Sequence, residues 1–343
     1  MGKPRIAYYD FLRAVGIIGV LVIHTCRFDG SGWSFYANVI LRQAVNFAVP
    51  LFVALSGFLL AEKQLSSKKE YFSFLRTHFP RILIPFFLWS IVYILPLVPH
   101  RVPLSELVWM MVTFQGCFTF YFLALILQFY LLLPLLQRIA TGKGLVLSLV
   151  ISGLCWLGIF YLDHPNRVQL PIMIYKGLFP TLLFFFVLGI YLRKRPVFLS
   201  GKMAAILLPA GLFGAVVETL YRFELHGPVD YALTTAKASS AFLSTVFIVW
   251  VLSREATFTS EKSGKMMKFC VWVGQVSFGI YLSHIIILAV VRKGIERVFP
   301  TIAAQNVSMQ LLEFLGTFIG CLVFAWVCRR VNKRWAVFLL GQG

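Results

Sequence analysis

Charge is what this chain has least of. Asp, Glu, Lys and Arg make up 13% of its 343 residues, and only 13 residues are acidic. Soluble domains carry about twice that charged fraction, so an ordinary soluble globular protein is excluded. The six cysteines form no CxxC pair and follow no regular spacing, which argues against a disulfide framework and leaves small apolar packing residues. Six histidines are equally scattered, and His78, His100, His164 and His226 fall in expected loops. No metal-ligand set emerges from that spacing. Ten-residue stretches of alternating hydrophobicity are missing too, which excludes a transmembrane barrel. Repeats and low-complexity tracts are absent.

What is present is apolar sequence. Hydrophobic residues reach 59% and the mean hydropathy is +0.83. Apolar runs recur near the ~20 residues that cross a hydrocarbon core. Backbone groups in lipid have to be paired within the segment, so the spans are helical. The pattern predicts an all-α, polytopic integral membrane bundle of about ten transmembrane helices, near 11–26, 37–60, 82–98, 117–137, 145–162, 171–192, 203–221, 232–252, 269–292 and 309–328. One membrane domain over 1–343 is expected, without a separate soluble domain. Lys3 and Arg5 before the first run imitate a signal peptide, but no small-residue cleavage site follows. The first run is therefore expected to stay as a span.

The net charge of +19 suggests a nucleic-acid binder until its distribution is followed. With the N-terminus inside, the inner segments hold about three times as many Lys and Arg as the outer ones. That bias puts both termini in the cytoplasm, as expected for a multi-pass protein of the inner (cytoplasmic) membrane. Basic charge here means topology and anionic lipid, not DNA. The inner loop contains Gln64 to Phe72, which reads as a short interfacial helix. Leu104 to Gly116 reads as an interfacial or re-entrant piece on the outer side, or as a helix extension. Pro50, Pro85, Pro134 and Pro180 lie in or near span ends, where kinks open cavities.

Polar residues inside the spans are the sharpest signal. Arg13 and His24 are eleven residues apart in the first span. Eleven helical steps make three turns plus about 20°, so both side chains share a face about 16 Å apart. Asp10, three residues before Arg13, lies on the same stripe. Arg42, Lys176, Lys237, Glu218, Glu313 and His284 fall in the outer halves of their spans, and His24 lies near the outer end of the first. Intramembrane charges face one another or a wet chamber. An outward-facing polar chamber for a hydrophilic or anionic acceptor is one reading, and pairing that locks the bundle is the other.

At this point the chain resembles a known family. Arg13-x10-His24 matches the signature of the membrane acyltransferase-3 family. Four further stretches agree: Pro50 to Leu60 (PLFVALSGFLL), Arg81 to Phe86 (RILIPF), Phe184 to Gly189 (FFFVLG) and Ser277 to His284 (SFGIYLSH). Together they run through nearly the whole chain. Where relatives often read His-Leu-Trp-Phe-Leu, this chain has Thr119-Phe120-Tyr121-Phe122-Leu123, which bears on acceptor identity. The resemblance implies transfer of an acetyl or sometimes succinyl group from cytoplasmic acyl-CoA (acetyl-CoA as co-substrate) to a sugar. The acceptors it implies are surface polysaccharides or lipid-linked glycans, at a membrane surface and without nucleic acid or metal.

The residue chemistry suits such a reaction. A hydroxyl attacking a thioester needs a base, and a neutral imidazole in a low-dielectric site supplies one. His24 is assigned that role; an acylated His24 carrying the group across the membrane is the rival. Arg13 either holds the donor's phosphates and amides or pairs with Asp10. Arg76 and Arg81 are candidates for the CoA phosphates. Ser56-Gly57 lets backbone approach the donor or forms a small-residue helix contact. Arg42, Lys176, Lys237 and His284 are expected at the acceptor, with core packing the alternative for His284. The competing function is a transporter or flippase of an envelope glycan, since charges and kinked helices serve transport as well. A non-catalytic subunit of a polysaccharide synthase is weaker, because it leaves the Arg13–His24 alignment unused.

Overall fold

The computed structural model describes residues 6–28, 32–100, 102–162, 171–226, 230–255, 264–300, 306–331 and 339–340. His164 and Arg167 lie outside the described residues, as does the basic stretch at 333–334. The described residues contain only α-helices, short 3-10 turns and loops. Among the described residues, eight helical segments are long and apolar enough to cross a membrane. The expected spans at 171–192 and 232–252 are not among them, because each is interrupted.

The described residues group into two compact units, one from 1–52 with 196–327 and the other from 53–195 with 328–343. In the first unit, α1 (Ala7–Thr25) is followed by α2 (Trp33–Ala44), a turn at 45–47, and the start of α3 (Ala48–Leu60). The same unit contains α10 (Gly201–His226), α11 (Ala238–Leu252), α12 (Lys265–Val298) and most of α13 (Asn306–Val331). Its central crossing is α1 on α12. Gly274 lies so close to α1 that a Cβ there would stand 1.7 Å from the Asp10 carbonyl oxygen. Leu12, Ile17 and Leu21 of α1 and Val276 and Ile280 of α12 are fully buried. The Phe47 ring stacks on Phe247 at 3.9 Å, joining the turn after α2 to α11.

The second unit holds the rest of α3, then α4 (Lys68–Ile94), α5 (Leu104–Val112), α6 (Tyr121–Ile139), α7 (Gly142–Leu162), α8 (Ile172–Tyr175) and α9 (Leu183–Lys194). Here α3 crosses α9 through two glycines. A Cβ on Gly189 would be 1.9 Å from the Ala54 carbonyl, and one on Gly57 would be 2.2 Å from that of Phe186. Gly57 is thus a close helix contact, the second of its two sequence readings.

The inner loop reads differently in the structure. The interfacial helix expected near 64–72 and the span expected from 82 form one continuous helix, α4. It begins in a capping box: Ser67 Oγ accepts from the Glu70 N–H (3.2 Å) and Glu70 Oε2 from the Ser67 N–H (3.0 Å). Pro80 and Pro85 are carried inside α4, which places Arg76, His78 and Arg81 on a helix rather than in a loop. The apolar piece after residue 104 is the separate helix α5, none of whose residues is buried.

The break between α8 and α9 shows how a helix can be interrupted at an apolar depth. Pro180 cannot donate, and residues 176–182 leave backbone groups without helical partners. Side chains of α6 and α7 take them up. Gln128 donates to the Gly177 carbonyl (2.6 Å) and accepts from the Phe179 N–H (3.1 Å). Ser152 donates to the Pro180 carbonyl (2.8 Å), and the Trp156 indole donates to that of Thr181 (2.9 Å). Irregular backbone away from water is tolerated only when re-paired in this way.

Candidate active site

The α1–α12 crossing places one polar group near each end of α1. Toward the N-terminal end, the Arg13 guanidinium donates to Asp10 Oδ1 at 2.6 Å. Asp10 is buried under the close approach of α12, while Arg13 is partly exposed. At the other end, His24 meets His284 of α12, with ring centroids 5.1 Å apart and planes tilted by 46°. The two groups are therefore separate: Asp10 and Arg13 stand about 16–21 Å along α1 from His24. The structure brings His24 to His284, and Arg13 to Asp10.

His284 is 0% exposed. Its Nδ1 lies 2.6 Å from the Tyr281 carbonyl, which can only accept, so Nδ1 carries the hydrogen. His24 is half-buried and faces its partner imidazole across the helix crossing. Beyond α1, Glu313 of α13 is completely buried and receives two guanidinium groups. Arg292 of α12 grips it through Nε (2.6 Å) and Nη2 (3.1 Å), and Arg27 reaches it at 3.4 Å. This clamp ties the end of α1 to α12 and α13. Glu313 is noticeable in the sequence as a lone acid in an apolar run, but nothing local names its partners.

A second polar cluster in this unit surrounds the break before α11. Asn46, in the turn after α2, donates to the carbonyl oxygens of Leu233 (3.1 Å) and Thr234 (3.4 Å) and to Gln43 Oε1 (2.8 Å). It accepts from Arg42 Nη1, and Ser240 Oγ donates to Gln43 Oε1 (3.1 Å). Lys237, 1% exposed, donates to Thr219 Oγ1 and to the carbonyls of Ala232 (3.0 Å) and Ala215 (3.3 Å). Its ammonium has three hydrogens and three acceptors, all from the protein. Glu218 accepts from Arg222 (2.6 Å) and from the Ser239 N–H (3.1 Å). Here, pairing within the bundle accounts for Lys237 and Glu218. Lys237→Met is expected to cost about 1–3 kcal/mol, since it leaves a buried carbonyl and hydroxyl without a donor. Equilibrium unfolding in mild detergent measures it.

In the second unit, Lys176 sits where α8 breaks. Its ammonium lies 5.1 Å from the Tyr175 ring centroid and 5.9 Å from that of Tyr121. Arg76 and Arg81 are both exposed on α4. Five helical steps separate them by about 140° around the axis, so they form no single stripe. Ser56 is half-buried on α3 beside Gly57. Among the described residues, no three His, Cys, Asp or Glu side chains gather as a metal site would require.

Compared with known families, residues 6–330 match the acyltransferase-3 model, described as an acyltransferase domain. The chain belongs to the acyltransferase-3 family. No curated protein and no solved structure matches it. This membrane acyltransferase thus carries the Arg13–His24 pair inside its family-matched region, with His24 lodged at the α1–α12 crossing.

Proposed function

We propose that this acyltransferase moves an acetyl or other short acyl group from cytoplasmic acyl-CoA to a sugar of a surface polysaccharide or lipid-linked glycan. It would act from the inner membrane, with both termini cytoplasmic. The observation that carries this reading is the placement of His24. Its ring is turned onto a second imidazole within the bundle, at the end of the helix that bears the family's Arg13-x10-His24 spacing. As general base, His24 takes the proton of the acceptor hydroxyl as the oxygen forms its bond to the thioester carbonyl carbon. The C–S bond then breaks, and the proton passes on to the leaving thiolate. Asp10 and Arg13 support this by holding α1 as a neutral pair against α12.

Arg76 and Arg81 are assigned to the donor. Their guanidinium groups are exposed, and such forks match phosphate oxygens. Ser56 is assigned to the same ligand. Arg81→Gln and Arg76→Gln are each expected to raise KM for acyl-CoA by roughly tenfold or more, with kcat nearly unchanged, as for lost uniform binding. Steady-state CoA release at saturating acceptor reads this directly. Lys176 is assigned to the acceptor. It stands against Tyr121, which occupies the place of the tryptophan in the relatives' His-Leu-Trp-Phe-Leu stretch, so the departure falls where a sugar would be selected. Arg42 remains a candidate for an acidic acceptor group. Lys237 acts through the backbone it holds.

The deciding experiment reconstitutes the purified protein in vesicles with acetyl-CoA and extracted envelope glycan. Acyl transfer with stoichiometric CoA release supports the enzyme. Movement of glycan without CoA release would instead identify a flippase, a reading that draws on the interrupted helices around residues 45–47, 176–182 and 234–237.

A further inference from the structure

A buried imidazole with one nitrogen committed and the other unused is an unusual thing to hold inside a helix bundle. His284 Nδ1 is fixed as a donor by the Tyr281 carbonyl at 2.6 Å. In the neutral ring, Nε2 is then a bare acceptor. That atom is buried and has no hydrogen-bond partner among the described residues. An unsatisfied buried acceptor is costly, and an apolar residue of similar size would avoid the cost. Such a group calls for an explanation, and a bridging water in a catalytic arrangement is one. The ring it faces is that of His24, with no direct hydrogen bond between them and a centroid separation of 5.1 Å that leaves room for a single bridging water. Exposure falls from half-buried His24 to fully buried His284.

We propose that His284 is the positioning residue of His24: its Nε2 accepts the hydrogen of one His24 nitrogen through one bridging water, and so turns the other nitrogen out as the base. The proposal rests on the role given to His24 above and extends it to a specific pair. The arrangement is that of a base oriented by a second acceptor, with an imidazole in the place a carboxylate takes in hydrolase triads. During transfer, the acceptor O–H proton moves to the outward nitrogen of His24. Its opposite N–H leans through the water on His284 Nε2, so the positive charge is shared between two rings. When the C–S bond of the acyl thioester breaks, the same proton leaves His24 for the thiolate, and both rings return to neutral. Nothing is consumed beyond the thioester and the acceptor hydroxyl.

The test uses the full chain in lipid nanodiscs and three substitutions. His284→Leu removes the unsatisfied nitrogen, His284→Gln puts an amide oxygen near the position of Nε2, and His284→Asn reaches only the position of Nδ1. We expect His284→Leu to melt at or above the wild-type temperature while kcat falls about 10²-fold or more. KM for acyl-CoA and for glycan should stay within about twofold, and His284→Gln should keep clearly more activity than His284→Asn. Nitrogen-15 spectra of histidine-labelled protein should show His284 in the Nδ1–H form and a changed tautomer balance at His24 in His284→Leu. A raised glycan KM at unchanged kcat would overturn the proposal in favour of direct acceptor contact. So would equal activity in the Gln and Asn variants, or His24 signals unmoved by His284→Leu. A wild-type protein without acyl transfer would instead strike at the enzymatic reading, while the spectra would still decide whether the two rings are coupled.

Discussion

Replacing His24 with alanine is expected to abolish acyl transfer for practical purposes, lowering kcat by about 10²–10⁴-fold, the range a positioned general base contributes. The protein should still fold. His24 is half-buried at the end of α1, and the crossing below it is held by Leu12, Ile17 and Leu21. Acyl-CoA binding should persist, because it is assigned to Arg76 and Arg81. The measurement is CoA release in vesicles, paired with a direct binding isotherm for acyl-CoA. Retained turnover would remove His24 from the chemistry and with it the argument for this end of α1. The same experiment separates base from carrier. An acyl-His24 intermediate would give ping-pong kinetics and a label trapped on the protein when acceptor is withheld. Direct transfer would give neither.

How far the sequence carried this picture depends on whether the governing interaction is local. The Asp10–Arg13 pair is an i,i+3 contact and is legible from spacing alone. The start of α4 is legible as well, since Ser67-x-x-Glu70 is a capping-box pattern, although the apolar runs on either side suggested two elements instead of one. Run length placed ten spans, of which eight coincide with helices long enough to cross a membrane among the described residues. It could not see the interruptions at 176–182 and 234–237, because nothing in those runs is too polar to be helix. What lets the backbone leave the helix there is supplied from elsewhere, by Gln128 and Ser152 in one case and by Asn46 in the other. The same limit hid the partner of His24. Similar depth in two spans hinted that His24 and His284 could meet, but 260 residues separate them, and only the α1–α12 crossing sets the rings 5.1 Å apart.

That crossing leads to the most damaging single methyl group available in the first unit. Gly274→Ala is expected to lose stability and activity together. The added Cβ would fall 1.7 Å from the Asp10 carbonyl oxygen and 2.5 Å from its carbon. The obstacle is backbone within a helix, with no flexible side-chain end to swing aside, so relief requires α1 and α12 to move apart. Overpacking a well-filled core costs about 1–3 kcal/mol even where side chains can yield, and this site is less forgiving. Separating the helices also withdraws His24 from His284, so the surviving folded fraction should turn over more slowly than wild type. Gly153 and Gly158 of α7 provide the control, since a Cβ at either would meet nothing within 4 Å. At those positions alanine should be neutral or stabilising by about 0.5–1 kcal/mol through helix propensity alone. Detergent unfolding and CoA release measured on all three variants would show the contrast. If Gly274→Ala behaved like the α7 pair, the contact between α1 and α12 would not be as close as the 1.7 Å approach requires, and the coupling of His24 to His284 would lose its structural basis.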